Sequence, residues 1–190
     1  MDRSWLRAAQ QLEFREPRSF LVELRRLEPQ FAASSLPQRV KHLRTNALKE
    51  WREAREAALF CYGMGQRIGQ TVFLARSESQ DYDFIACWVV DDTQHFAPVQ
   101  LKEVVPTNLN PAASLEAILK ALEKYVDSED LTVAIHLNQN KRFELATVVV
   151  PPLRIAALWV FAAISENQSE WGLWGNFLEQ PERTRFEYPA

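Results

Sequence analysis

The chain has 190 residues, 47% of them hydrophobic and 25% charged, which suits one folded domain that needs neither metal nor disulfides to hold together. Its two cysteines, Cys61 and Cys87, offer no metal-ligand spacing and no cystine framework, so zinc ribbons and disulfide-stapled scaffolds are excluded. The net charge of −3 gives no overall attraction to nucleic acid, yet the first sixty residues are net basic and the remainder net acidic, a basic arm beside an acidic body.

No apolar run reaches the length of a bilayer span; the longest, residues 153–164, contains Arg154. Met1-Asp2-Arg3-Ser4-Trp5 lacks the basic-then-apolar layout of a signal peptide. The expectation is a soluble, cytoplasmic protein with no membrane partner.

In chain order, Phe20, Leu21, Leu24 and Leu27 form a helical stripe, broken at Pro29 and at Ser34-Ser35-Leu36-Pro37. A second helical stretch runs from Pro37 to Gly65 or Gly69, a residue type suited to ending helices. Within it, Glu50, Glu53 and Glu56 recur at a spacing of three. After Gly69 the period becomes strand-like. Residues 71–75 are one candidate strand, 83–90 a second, and 96–105 a third, with Asp91-Asp92-Thr93-Gln94 as turn chemistry between the last two. Ser114 caps a helix striped by Leu115, Ile118, Leu119 and Leu122. Residues 131–137 read as a strand buried on both faces, and 143–150 as a fifth strand. The tail carries Trp159, Phe161, Trp171, Trp174, Phe177, Phe186 and Tyr188. This order predicts an α+β (mixed α/β) fold around one central sheet, with residues 1–44 as a helical extension and 45–190 as the domain.

The second and third strands hold the informative residues. Gln100 and Lys102 are two apart, so they share a sheet face. Antiparallel pairing of Asp83 with Gln100 or with Lys102 places the turn centre inside the Asp91–Thr93 signal. An even turn therefore gathers a carboxylate, an amide and a lysine in one patch; an odd one sends Asp83 to the other face.

A helix carrying Glu56, then a strand, Asp83 opening the next strand, Gln100-x-Lys102 on the third, an amphipathic helix and a further strand resemble the PD-(D/E)XK nuclease superfamily, the restriction-endonuclease-like fold. The resemblance covers roughly residues 45–140. It implies Mg²⁺ held by Asp83, Gln100, the Leu101 carbonyl and Glu56. It also implies that Lys102 holds the attacking water or offsets phosphate charge, and that the chain hydrolyses phosphodiester bonds in DNA or RNA. Tyr82 stands where the family commonly has proline, Asp81 competes with Asp83, and Gln100 replaces the commoner acid. A neutral amide oxygen holds a hard cation more weakly.

Arg39, Lys41, Arg44, Lys49, Arg52 and Arg55 are the candidate nucleic-acid contacts on the basic arm. The alternative reading is the same fold without cleavage, used for nucleic-acid or protein binding, and a third is an adaptor whose aromatic tail forms a homodimer surface. For the tail, core is favoured over interface. The glycines at 63, 65 and 69 lack the strand-to-helix context of a dinucleotide loop, and no serine-hydrolase elbow is present. His136, inside an apolar strand, reads as a satisfied core histidine.

Overall fold

The change of period after Gly69 marks the junction between a helical layer and a sheet. The computed structural model describes residues 4–41, 43–77, 79, 81–126, 128–140 and 144–190. Its helices are α1 (Ser4–Ala9), α2 (Pro17–Ala33), α3 (Gln38–Lys41), α4 (Lys49–Ile68) and α5 (Leu115–Ala121). Its strands are β1 (Phe73–Arg76), β2 (Phe84–Val90), β3 (Thr93–Val104), β4 (Ser128–Leu137), β5 (Ile155–Ala163), β6 (Glu170–Gly175) and β7 (Glu182–Glu187). They form one seven-stranded mixed sheet in sequential order. The β1–β2–β3 meander is antiparallel, α5 crosses over to bring β4 parallel to β3, β5 is parallel to β4, and β5–β6–β7 is antiparallel again.

Several expectations change in detail. Pro29 does not end α2, which continues to Ala33. Proline removes one backbone hydrogen bond from the helix interior, and here the helix closes only at Ser34, whose N–H and hydroxyl both donate to Phe31 O. The expected 37–65 helix divides into α3 and α4, the latter ending at Gly69 in the left-handed conformation (φ 69°). Residues 144–150 hold only a short 3₁₀ turn, Leu145–Thr147, while Phe143 lies outside the described residues. The fifth strand is instead the apolar run Ile155–Ala163, beginning after Pro151-Pro152, which cannot donate to a ladder.

Two apolar layers sandwich the sheet. On one side Leu59 and Phe60 of α4 pack with Phe84, Leu101, Ala134 and Phe161. On the other, Leu119 of α5 and Leu122 pack with Ile85, Val104, Val133 and Ile135. A fully buried leucine stabilises by about 1.5–3 kcal/mol, so these faces fix which side of each strand is inside. Helix α2 joins the first layer, where Leu21 is fully buried and Tyr188 Oη donates to its carbonyl at 3.0 Å, while α1 joins the second through Ala9. All of Trp159, Phe161, Trp171, Phe186 and Tyr188 are buried in the first layer, and Trp174 and Phe177 in the other. That leaves the tail without the aromatic surface a homodimer reading needs.

The β2–β3 hairpin turns on two residues, Asp91 (φ 48°) and Asp92 (φ 59°), between the paired Val90 and Thr93. Left-handed angles at both positions match the twist of the flanking strands. Asp92→Val is expected to cost about 1–2 kcal/mol, read from the urea midpoint, whereas Asp92→Gly should match or exceed the wild type.

Candidate functional site

The even, two-residue turn sets the register Phe84↔Val99, and Asp83 N–H donates to Val99 O at 2.9 Å. Continuing that register by one residue places Asp83 opposite Gln100. The side chains meet: Gln100 Nε2 donates to Asp83 Oδ2, and the Leu101 N–H donates to the same oxygen at 2.6 Å. Gln100 Nε2 also lies 3.3 Å from the Leu101 carbonyl oxygen. Its Oε1 accepts from the Tyr125 hydroxyl at 3.4 Å, just beyond α5.

Lys102, two residues along β3, completes the patch. Burial pushes its pKa down, Asp83 opposes that shift, and Lys124 adds to it, with the net direction downward. Desolvation thus outweighs the neighbouring carboxylate. Tyr125 is pushed up, by burial first and then by Asp83 and Asp81.

Glu56 does not join this patch. Glu50, Glu53 and Glu56 are spaced by three residues on a helix of 3.6 per turn, so they spread over an arc of about 120°. The sheet divides that arc. Glu50 and Glu53 line a cavity of about 220 Å³ together with Arg76, Tyr82, Asp83 and Leu101. Glu56 points to the other flank of α4 and is buried at 4% exposure, 3.3 Å from His136 Nδ1. Glu53, paired with Lys49 at 3.4 Å, thus shares a cavity with Asp83, and Glu56 does not. A spacing of three could not distinguish these two glutamates without knowing how α4 is rolled on the sheet.

Glu56, Glu103 and His136 form a separate group whose potential ligand atoms lie within 4.8 Å of one another. Glu103 projects from the face opposite Lys102, as strand alternation requires. Charge balance argues against a divalent ion there. Arg44 makes two hydrogen bonds to the Glu103 carboxylate, Asn138 Nδ2 a third at 2.8 Å, and Arg52 Nε lies 3.8 Å away. Two guanidinium groups already offset the two carboxylates. His136 also stacks on Phe161 at 5.0 Å between ring centroids, in keeping with a satisfied core histidine. The group is a buried ion-pair network that ties α4, β3 and β4 to the loop before α4.

Of the candidate basic residues, Lys41, Arg44, Arg52 and Arg55 line one cleft on the Glu56 flank of α4. Lys49 is paired with Glu53, and the side chain of Arg39 lies outside the described residues. No family model, no curated protein and no solved structure matches the chain.

The Glu103 network carries a pH signature. Burial raises the Glu103 pKa, but hydrogen bonds from Arg44 and Asn138 and the charge of Arg44 outweigh it, so the net direction is down from 4.5. A depressed carboxylate contributes stability above its unfolded pKa and loses it as pH falls through the folded value. Glu103→Gln is expected to cost about 3 kcal/mol at pH 7, because Arg44 keeps its charge without a counter-ion. The gap between variant and wild type should narrow below pH 4.5, as denaturant melts across pH will show.

Proposed function

We propose that the chain is a metal-dependent nuclease of the restriction-endonuclease-like fold, hydrolysing phosphodiester bonds in DNA or RNA. The observation that carries this reading is the convergence of Asp83, Gln100 and Lys102 at one end of β2 and β3. The element order α4–β1–β2–β3–α5–β4 and the strand directions support it as well.

The donor chemistry fits a hard cation. Asp83, the Gln100 amide and the Leu101 carbonyl offer oxygen atoms only, with a single formal charge among them, which suits Mg²⁺ held weakly. The Gln100 amide nitrogen now bonds both the Asp83 carboxylate and the Leu101 carbonyl. That N–H group competes for the very oxygens a cation would use. When bound, Mg²⁺ would supply Lewis-acid stabilisation of the phosphoryl oxygens and acidify a water.

The protein's own contributions follow from the patch. Asp83, fixed by the Leu101 N–H, presents an oriented carboxylate at the strand end. In its neutral form, which burial favours, the Lys102 amine takes a proton from the attacking water and becomes the ammonium. Glu53 and Glu50 line the adjoining cavity and bound the space available to the phosphate.

Two substitutions test the roles. Lys102→Arg keeps the cation but cannot give up its proton, and should lower single-turnover cleavage by roughly a hundredfold or more. Cleavage that survives this change would restrict Lys102 to charge compensation. Gln100→Glu sets two carboxylates side by side, so its Tm should fall in EDTA and recover with Mg²⁺, with about tenfold tighter binding by calorimetry. Unchanged affinity would remove Gln100 from the ligand set, and no cleavage of any nucleic acid together with no metal binding would favour the non-catalytic reading.

A further inference from the structure

The cleft on the Glu56 flank of α4 has a volume of about 800 Å³ and is walled by α2, α4, the loop after β3 and the β5–β6 loop. Its cations are not equivalent. Arg44 is matched by Glu103, and Arg25 by Glu28 at 2.7 Å. Lys41 instead donates to Ala32 O at 2.8 Å, Arg52 to Leu43 O at 3.1 Å, and Arg55 to Gln168 Oε1 at 2.7 Å. These acceptors are neutral. Arg52 also lies 3.8 Å from Glu103, a longer ion pair than the one Arg44 makes to the same carboxylate.

Counting the lining groups with Glu103 beneath them, Arg25, Lys41, Arg44, Arg52 and Arg55 face Glu28, Glu56, Glu103 and Glu166. The formal surplus is one positive charge, His136 left out of the count. That small surplus decides the ligand class. An extended nucleic-acid backbone brings a charge at every nucleotide and is held by correspondingly many cations. A phosphate monoester brings roughly −1.5 to −2 in one place, with three strong acceptor oxygens. Guanidinium forks and an ammonium group match those oxygens. The volume lies within the roughly 300–1,000 Å³ of small-ligand sites, and Asn108 and Asn138 add amide donors and acceptors to the wall.

We propose that this cleft binds the terminal phosphate of a nucleotide, gripped by Lys41, Arg52 and Arg55, either as the end of a strand or as a free nucleoside monophosphate. It is a second site, separated from the Asp83 patch by α4, and it needs no metal.

The test is fluorescence anisotropy of the full chain in EDTA, with a short single-stranded oligonucleotide bearing either a 5′ phosphate or a 5′ hydroxyl. Inorganic phosphate and a nucleoside 5′-monophosphate serve as competitors. The phosphorylated strand should bind about tenfold more tightly or better, and nucleoside monophosphate should displace it. Lys41→Glu, at a half-buried rim position, should abolish the preference with the fold intact by circular dichroism. Arg55→Lys, which keeps the charge and loses the fork, should lose part of it. Displacement by the monophosphate at concentrations well below those of inorganic phosphate assigns the ligand as a nucleotide; monophosphate binding with no gain from the attached strand assigns the free form. Equal binding of both strands with no binding of the monophosphate would overturn the proposal, and so would a preference untouched by Lys41→Glu. Because metal is absent throughout, this result stands apart from the outcome at Asp83.

Discussion

One carboxylate organises the end of the sheet where the chemistry is proposed. Asp83 Oδ2 receives hydrogen bonds from the Leu101 N–H and from Gln100, so the start of β2 is pinned to the C-terminal part of β3. Hydrogen bonds to a charged acceptor contribute about 1.5–3 kcal/mol each, enough to hold the carboxylate in one orientation. Everything near it follows from that pin. Gln100 and Lys102 emerge on one face, Leu101 and Glu103 on the other, and the two faces are given different work.

Helix α4 divides that work a second time. Its Glu50–Glu53 flank closes a cavity over Asp83 and Leu101, while its Arg52–Arg55 flank opens onto the larger cleft. The buried Arg44–Glu103 pair and the Glu56–His136 contact secure the helix between them. Removing either charge of such a pair leaves the other stranded, so the network fixes the roll of α4 and hence which glutamate faces the patch. Function and stability thus meet on adjacent residues of β3, with Lys102 turned to the candidate chemistry and Glu103 to the network.

Much of this was legible in the chain because it depends on parity. Strand alternation put Gln100 and Lys102 together, and the Asp91-Asp92 turn brought Asp83 opposite them. The crossover helix and the apolar strand after it were legible from their periods. What escaped depends on rotation and on long-range packing. Three glutamates at equal spacing look alike until the sheet selects a flank. His136 read as a core residue, but nothing local announced that its partner is Glu56, eighty residues earlier. The fifth strand lies one loop beyond the apolar stretch 143–150, because two apolar stretches follow β4 and it is Ile155–Ala163 that pairs with it. Pro29 misled because a proline inside a helix is a cost, and packing of Leu21 and its neighbours can outweigh it.

Among the described residues, the Asp83 patch and the Glu56–Glu103–His136 group both offer oxygen or nitrogen donors to a metal. The proposed function rests on the first because arginines already offset the charge of the second. The most direct check is Mn²⁺ titration of isotope-labelled protein, following paramagnetic broadening of assigned resonances. Early, selective broadening of the Leu101 and Lys102 amides and of the Gln100 side-chain amide is expected, abolished by Asp83→Asn. Broadening centred on Glu56 and His136, or none below nonspecific concentrations, would contradict the proposed function.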